Sequence, residues 1–135
     1  MNILLTGETG FIGQALVLEL LQQGFFLTIV LRKKSNLFAD NINQIIVGDL
    51  NNDIDWSSIL NKIDCIIHLA GKAHVIDKSK ASALDEFRKI NTELTLNLAK
   101  QAVAAGVERF IFLSSIGVNG NQNNQPFLEI DIPNP

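Results

Sequence analysis

The chain has 135 residues, 47% of them hydrophobic and 19% charged, with a formal net charge of −3. That balance belongs to a globular protein with a single substantial core. The basic residues are scattered along the sequence, which argues against a nucleic-acid groove or a membrane-binding face. The lone cysteine, Cys65 in "DCIIHLA", cannot form an internal disulfide and fits a reducing compartment. The start "MNILLTG" lacks a basic leader region, and its apolar run is too short for a signal peptide or a membrane span. A cytoplasmic location is expected.

The first predicted element is a strand over "NILLT", followed by a glycine-rich turn and a helix from near Phe11 to a left-handed cap at Gly24. "FFLTIVL" and "QIIVG" read as the second and third strands, joined by the polar "RKKSNLFADNIN". Before the fourth strand, "DCIIHLA", the segment "WSSIL" predicts a short covering helix with Trp56 and Ile59 packed inward. A longer helix is predicted from roughly Ala81 to Ala105, closed by Gly106, with an apolar stripe of Leu84, Phe87, Leu94, Leu98, Ala102 and Ala105. "RFIFLS" is the fifth strand, and residues 116–135 read as a long polar loop.

The strand runs lack strict alternation, as parallel strands covered on both faces do. The order βαββαβ then predicts an α/β fold: a doubly wound parallel sheet of Rossmann type with right-handed crossovers and strand order 3-2-1-4-5.

Within "TGETGFIG", Gly7, Gly10 and Gly13 fall between a strand and a helix. A helix start there aims unsatisfied N–H groups and the positive end of the dipole at one spot, which suits a diphosphate. Gly7 permits the tight turn, Gly10 lets a phosphate approach the main chain, and Gly13 allows the helix to pack closely on the sheet. The spacing is G-x-x-G-x-x-G, and the strand and helix on either side favour a dinucleotide site over a plain glycine turn. After the second strand, where an acid would hold the ribose hydroxyls of NAD, the chain has Arg32, Lys33 and Lys34. A guanidinium there favours the 2′-phosphate of NADP, with NAD the alternative; a solvated basic loop is the plainer reading.

Taken in order, "TGETGFIG", "GDL", "HLAG", "INTEL" and "FLSSIGVNG" resemble the extended short-chain dehydrogenase/reductases, specifically the NAD(P)-dependent epimerase/dehydratase family, whose members include UDP-glucose 4-epimerase-like enzymes acting on nucleotide sugars. The resemblance runs along the whole chain. It implies that the amides of Phe11 and Ile12 join the three glycines on the diphosphate. It places Asp49 and Leu50 beside the adenine, and Leu69, Ala70 and Gly71 along the cofactor. It puts Asn91 next to the cofactor and the catalytic group, and makes Ser115 the catalytic serine that hydrogen-bonds the reacting sugar oxygen.

Plainer readings stand beside these: Asp49 as a turn residue, Asn91 as a structural bond to a strand end, Ser115 as a strand terminator. His68 reads as a hydrogen-bonded core histidine, and His74 as a loop histidine near the substrate. Two isolated histidines, one cysteine and no carboxylate cluster predict no metal site.

The family's acid/base is a tyrosine four residues before a lysine, and this chain contains no tyrosine. The expectation is therefore an N-terminal portion, residues 1–135, of a nucleotide-sugar epimerase, dehydratase or ketoreductase. It would bind NAD(P) and a nucleotide sugar, UDP-linked by the resemblance, would be catalytically incomplete alone, and would expose an apolar strand edge open to homo-oligomerisation. The competing reading is a non-catalytic NADP(H) sensor of the same superfamily.

Overall fold

A computed structural model of the chain describes residues 1–38, 42–51, 53–73 and 80–135. Five strands form one parallel sheet: β1 (Asn2–Thr6), β2 (Phe26–Leu31), β3 (Asn43–Ile46), β4 (Cys65–His68) and β5 (Arg109–Phe112). Their order is β3-β2-β1-β4-β5 with every neighbouring pair parallel, as the sequence predicts. Helix α1 (Phe11–Gln22) joins β1 to β2 and ends before Gly24, which takes φ +77°. Between β4 and β5 run α2 (Lys80–Phe87), a π-helical stretch (Arg88–Leu94) and α3 (Thr95–Ala104).

Alternation along the strands sends side chains to two cores. Ile3, Leu5, Leu27, Ile29, Leu31, Cys65 and Ile67 pack with Val17 of α1 on one face. Leu4, Val30 and Ile66 pack with Leu94, Leu98, Ala102 and Trp56 on the other. Each inner strand is thus apolar at nearly every position, which is why the sequence shows runs rather than alternation.

Two local expectations are corrected. "WSSIL" forms consecutive turns rather than a covering helix. Trp56 and Leu60 are buried and Ile59 is half-buried, but Gln101 of α3 accepts from the Trp56 amide (2.7 Å) and donates to the Ile54 carbonyl (3.0 Å). That side-chain tether does the work that a helix terminus would otherwise need. The long helix is also not uniformly α. Its i→i+5 stretch inserts extra residues into the winding, so the buried stripe is Leu94, Leu98 and Ala102, while Leu84 and Ala105 are exposed.

The outer strand β5 buries little: Ile111, Phe112 and the following Leu113 are each close to half exposed, an apolar edge of the kind the sequence predicts. Residues 116–135 are mostly irregular, with one turn of 3-10 helix at Ile116–Asn119. Among the described residues no helix is long and apolar enough to cross a membrane.

Candidate functional site

Register brings the strand ends together. Thr6 lies opposite Val30 and His68, His68 opposite Phe112, and Leu31 opposite Ile46. The segments that leave these strands, beginning at Gly7, Arg32, Val47, Leu69 and Leu113, therefore share the carboxyl edge of the sheet. The chain reverses its winding direction between β1 and β4, and in open α/β sheets ligands bind outside that point.

At its centre is the turn from β1 into α1. Gly7 has φ +81°, and a Cβ there would lie 2.6 Å from the Ala70 nitrogen and the Leu69 carbonyl carbon. A Cβ on Gly13 would lie 2.2 Å from the Gly7 oxygen and 2.6 Å from the Glu8 Cα. Main chain occupies both places, so no side chain fits. Gly10, the N-cap of α1, is different: its φ of −74° suits any residue, and a Cβ would meet only the Gly7 oxygen, at 3.2 Å. No side chain caps α1, and its first turn carries no acid. Main chain thus crowds one side of the turn, no side chain caps the other, and the Phe11 and Ile12 amides lie at the positive end of the helix, the residue set a diphosphate calls for.

Glu8, inside this turn, is 2% exposed, and its Oε2 is buried without a hydrogen-bond partner. Burial raises its pKa above the ordinary carboxylate value, opposed by hydrogen bonds from the amides of Glu8, Gly7 and Thr9.

A directional hydrogen-bond chain ties the turn to β4 and the helix behind it. The Thr95 hydroxyl donates to the Asn91 carbonyl (3.1 Å), so toward His68 Nε2 (2.9 Å) it can only accept. His68 therefore carries its proton on Nε2, and Nδ1 accepts from the Thr6 hydroxyl at 2.6 Å. Thr6 Oγ1 in turn accepts from the Ala70 amide at 3.3 Å. His68 is 1% exposed, and burial lowers its pKa to about 4, so it is neutral at physiological pH. The core reading of this histidine holds.

Asn91 lies in the π-helical stretch, and its side chain grips the main chain of Lys72. Oδ1 accepts from the Lys72 amide (2.7 Å) and Nδ2 donates to the Lys72 carbonyl (2.9 Å). The Lys72 ammonium is paired with Glu86 of α2. The Asn91 amide is thus used on the segment leaving β4, directly after Leu69, Ala70 and Gly71. Asn91→Ala leaves both Lys72 groups unpaired, and a loss of about 1–3 kcal/mol in urea unfolding is expected. An unchanged unfolding midpoint would show that water replaces the grip.

The other sequence candidates are less tightly assembled. Arg32 and Asp49 are exposed beyond β2 and β3, and Leu50 packs partly against the core. Ala70 is buried and Gly71 exposed. Ser115 is exposed, and its Oγ accepts from the Gly117 amide (3.2 Å), capping the 3-10 turn. Ser114 and Ser115 also line an open cavity of about 490 Å³ shared with Asn119, Phe127 and Asp131. His74 lies outside the described residues. Sequence reasoning missed Glu8, Thr6, Thr95 and Lys72. Of these only Glu8 carried a signal: a carboxylate inside a glycine-rich turn at the start of a helix.

The profile of the NAD dependent epimerase/dehydratase family matches residues 3–135. The chain belongs to this family. A "UDP-glucose 4-epimerase" of Vibrio cholerae is 43% identical over 120 residues, 88% of this chain and 36% of that protein. A Klebsiella pneumoniae protein of the same name is 34% identical over 140 residues, 96% of this chain and 99% of its own length. Among solved structures, MoeE5 in complex with UDP-glucuronic acid and NAD superposes with a TM-score of 0.82 at 30% identity, covering 100% of this chain and 43% of that one. This epimerase/dehydratase-family chain therefore spans less than half of the Vibrio relative and of MoeE5, and nearly all of the Klebsiella one.

Proposed function

We propose that the chain is the dinucleotide-binding part of a nucleotide-sugar epimerase, dehydratase or ketoreductase, holding NADP, or NAD, along the carboxyl edge of the sheet. The observation that carries this reading is the two-sided turn. Gly7 and Gly13 are closed off by main chain, whereas a Cβ on Gly10 would meet only the Gly7 oxygen, at 3.2 Å, and no side chain caps the start of α1. The diphosphate would rest on the Gly10, Phe11 and Ile12 segment, and the Leu69–Gly71 main chain, held by Thr6 at Ala70 and followed by Lys72 in the grip of Asn91, would border the cofactor. Asp49 and Leu50 would flank the adenine.

When bound, the nicotinamide ring supplies hydride acceptance or donation. Ser115 accepts from Gly117 and keeps its hydroxyl hydrogen to donate to a substrate oxygen. The UDP-linked sugar class is supported by what the relatives' names print. The sequence contains no tyrosine, so these residues do not supply the acid/base phenol that the family resemblance implies, and binding without turnover is the behaviour expected of them.

The NADP preference rests on Arg32, whereas MoeE5 is described with NAD. Titration of the full-length protein with NADPH and NADH tests both the site and the preference. Arg32→Ala is expected to weaken NADPH binding about 10- to 100-fold, as for a lost charge-assisted hydrogen bond of ~1.5–3 kcal/mol, and to leave NADH unchanged. Equal affinities before and after the change would make NAD the cofactor. NADPH fluorescence followed with a panel of UDP-sugars separates enzyme from sensor: binding without substrate-dependent oxidation favours the sensor.

A further inference from the structure

Glu8 has no part in the function proposed above. It lies between Gly7 and the N-cap Gly10 of α1, and its backbone is pressed against Gly13. Its carboxyl is buried, one oxygen lacks a partner, and the groups favouring its charge are the amides of Gly7, Glu8 and Thr9. An ionised carboxyl thus draws on main-chain N–H groups in the very turn that would face a diphosphate. A diphosphate on the adjoining Gly10, Phe11 and Ile12 amides would stand beside this carboxyl at one end of a single turn, and like charges so close favour the neutral form of the one that can be protonated.

We propose that Glu8 makes dinucleotide binding proton-coupled: the diphosphate is accepted by the form of the protein whose Glu8 carboxyl is neutral, and binding draws a proton from solution. This rests on the cofactor reading above. The proton goes to a Glu8 carboxylate oxygen and is returned to solvent when the ligand leaves.

Among the described residues, the other ionisable groups around the turn do not account for such a coupling. On α1 there is only Glu19, near the far end of the helix. The β4 side brings Cys65, His68, neutral down to about pH 4, and Lys72, paired with Glu86. Beyond β2, Arg32 and Lys33 are exposed, and Asp49 is exposed beyond β3. Among the described residues no neighbouring charge contributes to the Glu8 shift, which burial and main-chain hydrogen bonds set.

The test is calorimetric titration of the full-length protein with NAD, whose diphosphate keeps its charge between about pH 5.5 and 8.5. Two buffers of different ionisation enthalpy report the protons taken up on binding. The wild type is expected to take up a proton, at most one, and to lose affinity toward tenfold per pH unit above the Glu8 pKa. Glu8→Gln, of the same shape, is expected to bind more tightly at pH 8.5, with no proton uptake and a flat profile.

Binding by the wild type without proton uptake at any pH overturns the proposal, as does a Glu8→Gln profile that parallels the wild type. The wild-type uptake measurement needs no variant, so a poorly folding Glu8→Gln protein does not block the test. If the folded wild type binds no dinucleotide at any pH, the cofactor reading itself fails and this inference with it.

Discussion

Gly13→Ala is expected to destabilise the protein by roughly 2–4 kcal/mol and to lower dinucleotide affinity at least 100-fold. The added methyl would lie 2.2 Å from the Gly7 oxygen and within 3 Å of two Glu8 main-chain atoms. None of these can rotate aside, so α1 must shift away from the turn. A displacement on the order of 1 Å at the helix start would misplace the amides proposed to hold the diphosphate and so cost binding as well as packing.

Gly10→Ala supplies the contrast. Its backbone angles suit alanine, and the methyl meets a single atom at 3.2 Å, so near-normal stability is expected. The methyl nevertheless stands on the uncapped side of the turn, and binding should fall as far as in Gly13→Ala. Urea unfolding and dinucleotide titration of both variants check this. A Gly10→Ala protein that binds like the wild type would move the diphosphate away from this turn. A Gly13→Ala protein as stable as the wild type would contradict the packing of α1 on the sheet.

The contrast between these two glycines shows what could be read from sequence. Their spacing announced a strand, a turn and a helix, because only glycine permits main chain to pack where Gly7 meets Leu69 and Gly13 meets Glu8. The strand runs were legible for a related reason: strands covered on both faces need apolar residues at successive positions, and β1 and β4 supply them. The direction of a turn side chain has no periodic signature, so the burial of Glu8 was invisible.

The π-helical stretch was hidden because Leu84, Phe87 and Leu94 keep helical spacing on paper. Only the inserted winding takes Leu84 off the stripe. Asn91 stood out as a polar residue among apolar ones, and that was a sound reason to expect partners. Which partners it takes depends on Lys72, distant in sequence and brought near by the fold.

The same physics makes His68 a source of acid sensitivity. Burial depresses its pKa from 6.5 to about 4. Between those values the unfolded chain binds a proton that the folded protein refuses, so stability must fall as pH drops through this window and is unaffected by His68 above it. At 1.36 kcal/mol per unit the loss amounts to roughly 2–3 kcal/mol by pH 4.5. Protonation would also put a donor on Nδ1, where Thr6 now donates, breaking the chain that runs from Ala70 through Thr95 to Asn91.

His68→Gln should be less stable than the wild type at pH 7.5, because the two-sided bridge is lost. The gap is expected to close by about 2–3 kcal/mol on going to pH 4.5, since glutamine has no proton to gain. Glu8 and the surface carboxylates tilt both curves equally, so the difference between them isolates the histidine. Urea unfolding of both proteins across this range measures it. Parallel curves would mean that His68 titrates normally in the folded state and that the neutral, Nε2-protonated bridge between β1 and α3 is wrong.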